Sequence, residues 1–329
     1  MYVLHFNDMT NTLFLKEIAP FEIPVKVYGN VESKSKRILN TFESRNSNTG
    51  VLLSGEKGNG KTMLAKKVAI DALNSKYPVI IINRPFDGEK LAEFFQAIGS
   101  PFIALLDEFE KVFDDENNRQ NSMLTLLDGV FKNKILFLFT CNDSRRINTF
   151  MINRPGRIFY HFEFNTLENS IIEDYCKDKL DPCFNIPEEI SNIKKFSKLI
   201  SGFSFDQLQA IVEEMNRYKE DTTEAIKNLN IKPEFCSWDT YTLEIYKGKK
   251  KLEASMYSIN GIPISQKEIS FEYKEEKAKN NYSWNPVSIQ SSNLVSFNPD
   301  RNEFIYKYED LKIVFTKRKI ENLDVSKLL

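Results

Sequence analysis

Apolar residues in this chain follow two different patterns. Between residues 28 and 165 they form short unbroken blocks: Val51–Leu53, Val79–Ile82, Phe102–Leu106, Ile135–Thr140 and Ile158–Phe164. Continuous apolar strands alternating with helical patterns predict a parallel sheet covered on both faces. Val31–Phe42, Met63–Leu73 and Glu89–Ile98 read as helices of that layer. Residues 166–232 read as helical, with Leu167–Leu180, Pro187–Leu199 and Phe205–Tyr218 and a break at Asp181-Pro182. From residue 233 to 329 the pattern changes to strand-length alternation. Tyr241–Tyr246, Lys251–Ile259, Ile269–Tyr273, Val287–Phe297, Glu303–Tyr308 and Leu311–Thr316 carry it, with turn signals at Gly248, Asn260-Gly261, Asn280-Asn281 and Asn298-Pro299. This predicts a separate all-β module, sandwich or barrel, after Pro233. Residues 1–27 form an N-terminal segment with one expected strand and an apolar cluster at Leu13-Phe14-Leu15. Lys317-Arg318-Lys319 onward reads as a charged tail.

The chemistry sits at the ends of the apolar blocks. Gly55-Glu56-Lys57-Gly58-Asn59-Gly60-Lys61-Thr62 follows the first block and opens the Met63–Leu73 helix. It fits G-x-x-x-x-G-K-[ST] at every fixed position. Glycines let backbone N–H groups turn onto phosphate oxygens, and the helix N-terminus adds partial positive charge. Lys61 is expected to reach the β- and γ-phosphates and Thr62 to hold Mg²⁺. The Phe102–Leu106 block ends in Asp107-Glu108. Asp107 would hold Mg²⁺ through water, and Glu108 would act as general base on the attacking water. The next block ends in Asn142, a neutral hydrogen bonder suited to placing that water near the γ-phosphate; Asn142-Asp143 is equally good turn chemistry. Asn153-Arg154-Pro155-Gly156-Arg157 presents two arginines around a Pro-Gly turn, the chemistry of an arginine finger or of two surface arginines.

Bulk numbers narrow the class without changing this picture. The chain has 329 residues, enough for two or three domains, with 41% apolar and 28% charged residues as in soluble globular proteins. A net charge of −1 disfavours a broad nucleic-acid surface. No apolar run reaches membrane-spanning length and no signal-peptide pattern opens the chain, so a cytoplasmic location is expected, in a bacterium or a virus-infected host cell. Cys141, Cys176, Cys183 and Cys236 lack C-x-x-C spacing, and two histidines make a zinc site a poor fit.

Together Gly55–Thr62, Ala104–Glu108, Phe139–Asp143 and Asn153–Ile158 resemble the AAA+ superfamily, and within it the AAA group proper. Leu124-Thr125-Leu126-Leu127-Asp128-Gly129-Val130 resembles that group's L-L-x-x-x-D-G helix end. Gly202-Phe203-Ser204-Phe205-Asp206-Gln207-Leu208 resembles the G-[FY]-S-x-x-D-L signature of its helical lid. The resemblance covers about residues 25–220. It implies a P-loop α/β domain over 28–165, a helical lid over 166–232, and ATP and Mg²⁺ as ligands. Residues Gly55 to Thr62 with Met63 and Asp107 would hold the nucleotide, Tyr28, Gly29, Gly202 and Phe203 would lie near the adenine, and Asn142 would be the first sensor. The resemblance further implies a homo-oligomeric ring, usually hexameric, in which Arg154 and Arg157 complete the neighbour's site. Only Asn83–Pro101 separates the second and third core strands. That spacing resembles the branch containing the mitochondrial inner-membrane ATPase that assembles the Rieske protein, which lacks the usual threading loop. Phe86 either faces a pore or packs under the Gly88 turn, and one of Phe94-Phe95 is expected in the core.

The first functional expectation is thus an ATP-driven chaperone-like remodeller of an unidentified protein cargo. The others are a nucleic-acid-associated loader and a nucleotide-controlled regulatory ring. In the 233–329 module, Tyr241, Tyr246, Tyr257, Trp284, Phe304, Tyr306 and Tyr308 are expected mostly in the core, with one face left for docking.

Overall fold

The computed structural model describes residues 1–113, 119–128, 134–164, 166–200, 202–231, 239–278, 281–299 and 301–318. Pro233, Cys236, the Gly129-Val130 end of the aspartate-glycine motif, Asn280 and the tail from Lys319 lie outside the described residues. The chain divides into two compact units, residues 1–178 with 204–209, and residues 179–203 with 210–329. The helical stretch 166–232 therefore contributes to both.

The first unit opens with a hairpin, β1 (Tyr2–Asn7) and β2 (Thr12–Glu17), where sequence patterning gave one strand. It continues α1 (Val31–Ser44), β3 (Thr49–Gly55), α2 (Lys61–Asn74), β4 (Val79–Ile82), α3 (Gly88–Ala97) and β5 (Phe102–Leu106). There follow α4 (Phe109–Val112), α5 (Arg119–Leu127), β6 (Ile135–Cys141), β7 (Ile158–Phe164) and α6 (Asn169–Lys179). Strand order is β2-β1-β4-β5-β6-β3-β7, parallel except for β2. Every residue of β3, β5 and β6 is buried, which is why those blocks contain little but apolar side chains. One face packs Leu52, Phe102, Ala104, Phe137 and Phe139 against Leu91 and Phe95 of α3. The other packs Val51, Leu53, Ile103 and Leu138 against Ile38 and Phe42 of α1 and Leu64 and Val68 of α2. Phe95 is fully buried, Phe94 half-buried, and Phe86 packs against the same core.

Strand β3 meets β7 closely at both ends. A Cβ on Gly50 would lie 2.1 Å from the Arg157 carbonyl, and one on Gly55, at φ +130°, 2.2 Å from the Phe164 carbonyl. Only glycine fits there, and the second contact fixes where the loop after β3 leaves the sheet.

The second unit contains α7 (Ile186–Leu199), all but the start of α8 (Phe205–Tyr218), α9 (Thr222–Asn228) and the β module. Buried Glu189 on α7 accepts from both the backbone N–H and the hydroxyl of Thr222, which joins α7 to α9. The module comprises β8 (Thr240–Lys247), β9 (Lys250–Ala254), β10 (Ser258–Asn260), β11 (Ile269–Ala278), β12 (Asn281–Ile289), β13 (Leu294–Asn298), β14 (Glu303–Tyr308) and β15 (Leu311–Lys317). They form one antiparallel sheet, β12-β11-β9-β8-β15-β14-β13, with β10 on β8. Tyr241, Phe304 and Tyr306 are core residues, as the alternation implies, whereas Tyr257 and Trp284 are exposed.

Candidate nucleotide-binding site

The loop between β3 and α2 is built for close backbone approach. Gly55, Gly58 and Gly60 all have positive φ, and Gly60 caps α2 in the left-handed region. Asn59 Nδ2 donates to the Phe164 carbonyl at 3.2 Å, tying the loop to β7. Lys61 is 6% exposed, and its Nζ donates to the carbonyls of Gly55 (2.5 Å) and Glu56 (2.7 Å). An ammonium has three N–H groups, so these bonds aim the group at the loop's concave side and leave one donor for a phosphate. Burial pulls the Lys61 pKa down; Cys141, Glu110, Asp107 and Glu108 oppose it. Thr62 is exposed at the same helix end; Glu56 and Lys57 are exposed and Met63 half-buried.

Strands β5 and β6 end beside one another, and Thr140 laces them. Its hydroxyl donates to Asp107 Oδ1 at 2.6 Å and accepts from the Glu108 N–H at 2.9 Å. Glu108 has φ +48°, an uncommon conformation for a side chain of this kind, costing on the order of 1–3 kcal/mol. Its carbonyl accepts from the N–H groups of Lys111 (2.8 Å) and Val112 (3.2 Å), so α4 and Thr140 together hold it there. The Glu108 carboxylate accepts from Lys111 Nζ at 2.6 Å and lies 3.4 Å from Asn142 Nδ2. Asn142 is held more firmly by Glu110, whose Oε1 accepts from the Asn142 backbone N–H and from Nδ2, both at 3.0 Å. Thr140 thus joins Asp107 to Glu108, Asn142 lies between the Glu108 and Glu110 carboxylates, and Lys61, bonded to its own loop, feels Glu110, Asp107 and Glu108 through their charge.

A family model matches residues 51–166, that of the ATPase family associated with various cellular activities, AAA. Residues 51–166 are an AAA ATPase domain. Among similar proteins is a putative cell division cycle ATPase of Plasmodium falciparum, 29% identical over 37% of this chain and 11% of that protein. Spastin of Ixodes scapularis is 26% identical over 50% of this chain and 28% of its own length. An ATP-dependent zinc metalloprotease FtsH of Aster yellows witches'-broom phytoplasma is 27% identical over 56% of this chain and 31% of that protein. In each case the match covers less than a third of the relative.

The remaining candidates divide into those engaged within the chain and those left outward. Arg157 is engaged: Nε and Nη2 form a bidentate pair with Asp128 (2.5 and 2.7 Å), and Nη1 donates to the Phe150 carbonyl at 2.7 Å. Its partner Arg154 is exposed, with the guanidinium 5.5 Å from the Phe150 ring. Tyr28 donates to Asp178 and packs edge-on with Tyr175 at 5.1 Å and near Phe205 at 5.8 Å. Gly29, at φ +76°, lies against Ile171. Phe205 N–H donates to the Gly58 carbonyl at 3.0 Å, so the first turn of α8 and the Tyr28 cluster both border the loop. That turn is closed by a capping box between Ser204 and Gln207, in which each accepts from the other's backbone N–H. Gly202 and Phe203 belong to the second unit, where Phe203 is 1% exposed and packs against Phe196.

The donor set fits magnesium. Among the described residues no group of three or more His, Cys, Asp or Glu forms a metal cage. Mg²⁺ needs only one or two protein ligands beside phosphate and water, which the Thr62 hydroxyl and Asp107 would supply. Bound there it would neutralise charge on the phosphates.

Thr140, Glu110 and Lys111 are participants given no role in the sequence reading, and Asp128 appears there only within the Leu124–Val130 motif. A polar Thr inside an apolar strand and a third acid after Asp107-Glu108 are visible signals. Lys111 is visible only once Glu108 is known to adopt a left-handed backbone. The bonded Lys111 ammonium holds the Glu108 carboxyl below the usual carboxylate range, the Asn142 bond and Lys57 adding to the effect. A base with a depressed pKa stays ionised to lower pH but takes a proton less readily. Lys111→Met should therefore move the acidic limb of the kcat–pH profile to higher pH; an unmoved limb would show that Lys111 does not act on the base.

Proposed function

We propose that the chain is a magnesium-dependent ATPase that acts as a homo-oligomer, with each site completed by a neighbouring copy, and uses hydrolysis to remodel or assemble a protein complex. The observation that supports this reading is the linked set of Asp107, Glu108 and Asn142, with Lys61 buried in the loop and Arg154 exposed while Arg157 is engaged with Asp128. Lys61 and the loop N–H groups bind phosphate, Glu108 takes the proton of the attacking water, and Asn142 orients that water. Arg154 of an adjacent copy stabilises charge on the transferred phosphoryl group. Tyr28 and Gly29 form the adenine side. The β module is the element that recruits cargo. Residues 28–165, 166–232 and 233–329 are the functional divisions of this scheme.

Among the described residues no helix is long and apolar enough to cross a membrane. A nucleic-acid-associated ATPase is the competing reading, and salt separates the two. Hydrolysis should be indifferent to single-stranded DNA; strong stimulation that fades as salt rises from about 50 to 200 mM would replace the remodelling role with a nucleic-acid one.

A further inference from the structure

Asn142 presents a problem that its own chemistry cannot solve. A carboxamide can turn over, exchanging its NH₂ for its oxygen at little cost. A γ-phosphate offers only acceptors, so the face that helps hydrolysis is NH₂, and the reversed face opposes it. Glu110 resolves the choice. It follows Phe109 in α4, is 6% exposed, and its Oε1 takes two donors from one residue, the Asn142 backbone N–H and Nδ2, both at 3.0 Å. A carboxylate accepts only, so it tolerates NH₂ and rejects the oxygen. One Nδ2 hydrogen is used in that bond, and the other faces the Glu108 carboxylate at the longer distance of 3.4 Å. That contact is weaker than the 3.0 Å bond to Glu110, which therefore sets the orientation of the carboxamide.

Burial makes Glu110 costly as a purely structural staple. Its Oε2 is buried and has no hydrogen-bond partner among the described residues. A buried carboxylate with one oxygen unmatched opposes stability, and an apolar residue of similar length would avoid the penalty.

We propose that Glu110 is a positioning residue that locks the Asn142 carboxamide with its NH₂ toward the γ-phosphate, and so gives the site its preference for the triphosphate over the diphosphate. This rests on Asn142 acting at the γ-phosphate, as in the function proposed above.

The test compares Glu110→Met, similar in length but without a strong acceptor, with Glu110→Gln, which keeps one. Affinities for ADP and for a slowly hydrolysed ATP analogue are measured beside kcat and KM. Glu110→Met should bind ADP as the parent does, lose about tenfold of the preference for the triphosphate, and fall at least tenfold in kcat. Glu110→Gln should restore most of both. A Glu110→Met protein with the parent's nucleotide preference and kcat, changed only in melting temperature, overturns the proposal. If that variant does not fold, the pair is reversed. Asn142→Asp, which sets an acceptor against Glu110 Oε1, should lower both the melting temperature and the triphosphate preference; parent values for both overturn the proposal. A parent protein that neither binds nor hydrolyses ATP would instead remove the underlying function, so the two failures are distinguishable.

Discussion

Glu108→Gln is expected to bind ATP within about twofold of the parent affinity while hydrolysing it about 10²–10⁴-fold more slowly. The substitution keeps the shape and the 3.4 Å approach of Asn142 Nδ2, and the neighbouring Thr140 bond is to the backbone N–H, which does not change. It removes the proton-accepting carboxylate. Equilibrium nucleotide binding and single-turnover hydrolysis, measured on the same preparation, separate the two effects. Parent-level hydrolysis by Glu108→Gln would remove Glu108 from the mechanism, and the left-handed backbone at φ +48° would then lack a functional reason.

The second large effect concerns two arginines that sequence reading treated alike. Arg157 is 14% exposed in its side chain and spends its guanidinium on Asp128 and the Phe150 carbonyl, so its removal should unsettle the loop that carries Arg154. Arg157→Ala is expected to lower the melting temperature, and Asp128→Asn should reproduce that loss. Arg157→Lys should not rescue it, because an ammonium cannot make the two-pronged contact. Arg154→Ala should leave the melting temperature unchanged and reduce kcat by about 10³-fold or more, as for an arginine finger. Calorimetry and steady-state hydrolysis on the four proteins decide the matter. If Asp128→Asn melts with the parent, the Asp128 pair is not what holds Arg157, and both arginines return to the same candidate role.

How much of this was legible depended on whether a feature is set by local pattern or by side chains meeting across the chain. The β3, β5 and β6 strands were legible because full burial leaves almost only apolar residues. The Gly55–Thr62 loop was legible because its glycines and lysine are contiguous. The β1–β2 hairpin was not, because its place in the sheet depends on Tyr2 and Val3 pairing with Ile80 and Ile81. Strand β11 extends past Tyr273 through Lys274, Glu275 and Glu276, a charged run that hides a strand from hydrophobic patterning. Helix α9, seven residues long, carries too little periodicity to register. Arg157 and Asp128 lie 29 positions apart, and nothing local distinguishes Arg157 from Arg154.

The central claim is that the catalytic unit joins Glu108 of one copy to Arg154 of another. Mixing Glu108→Gln protein with Arg154→Ala protein tests it most directly, since each should be inactive alone. Where the intact Glu108 of an Arg154→Ala copy meets the intact Arg154 of a Glu108→Gln copy, a complete site forms. ATP hydrolysis should therefore appear on mixing and be greatest near equal proportions. No hydrolysis at any ratio, with both variants binding ATP and assembling together, would contradict it.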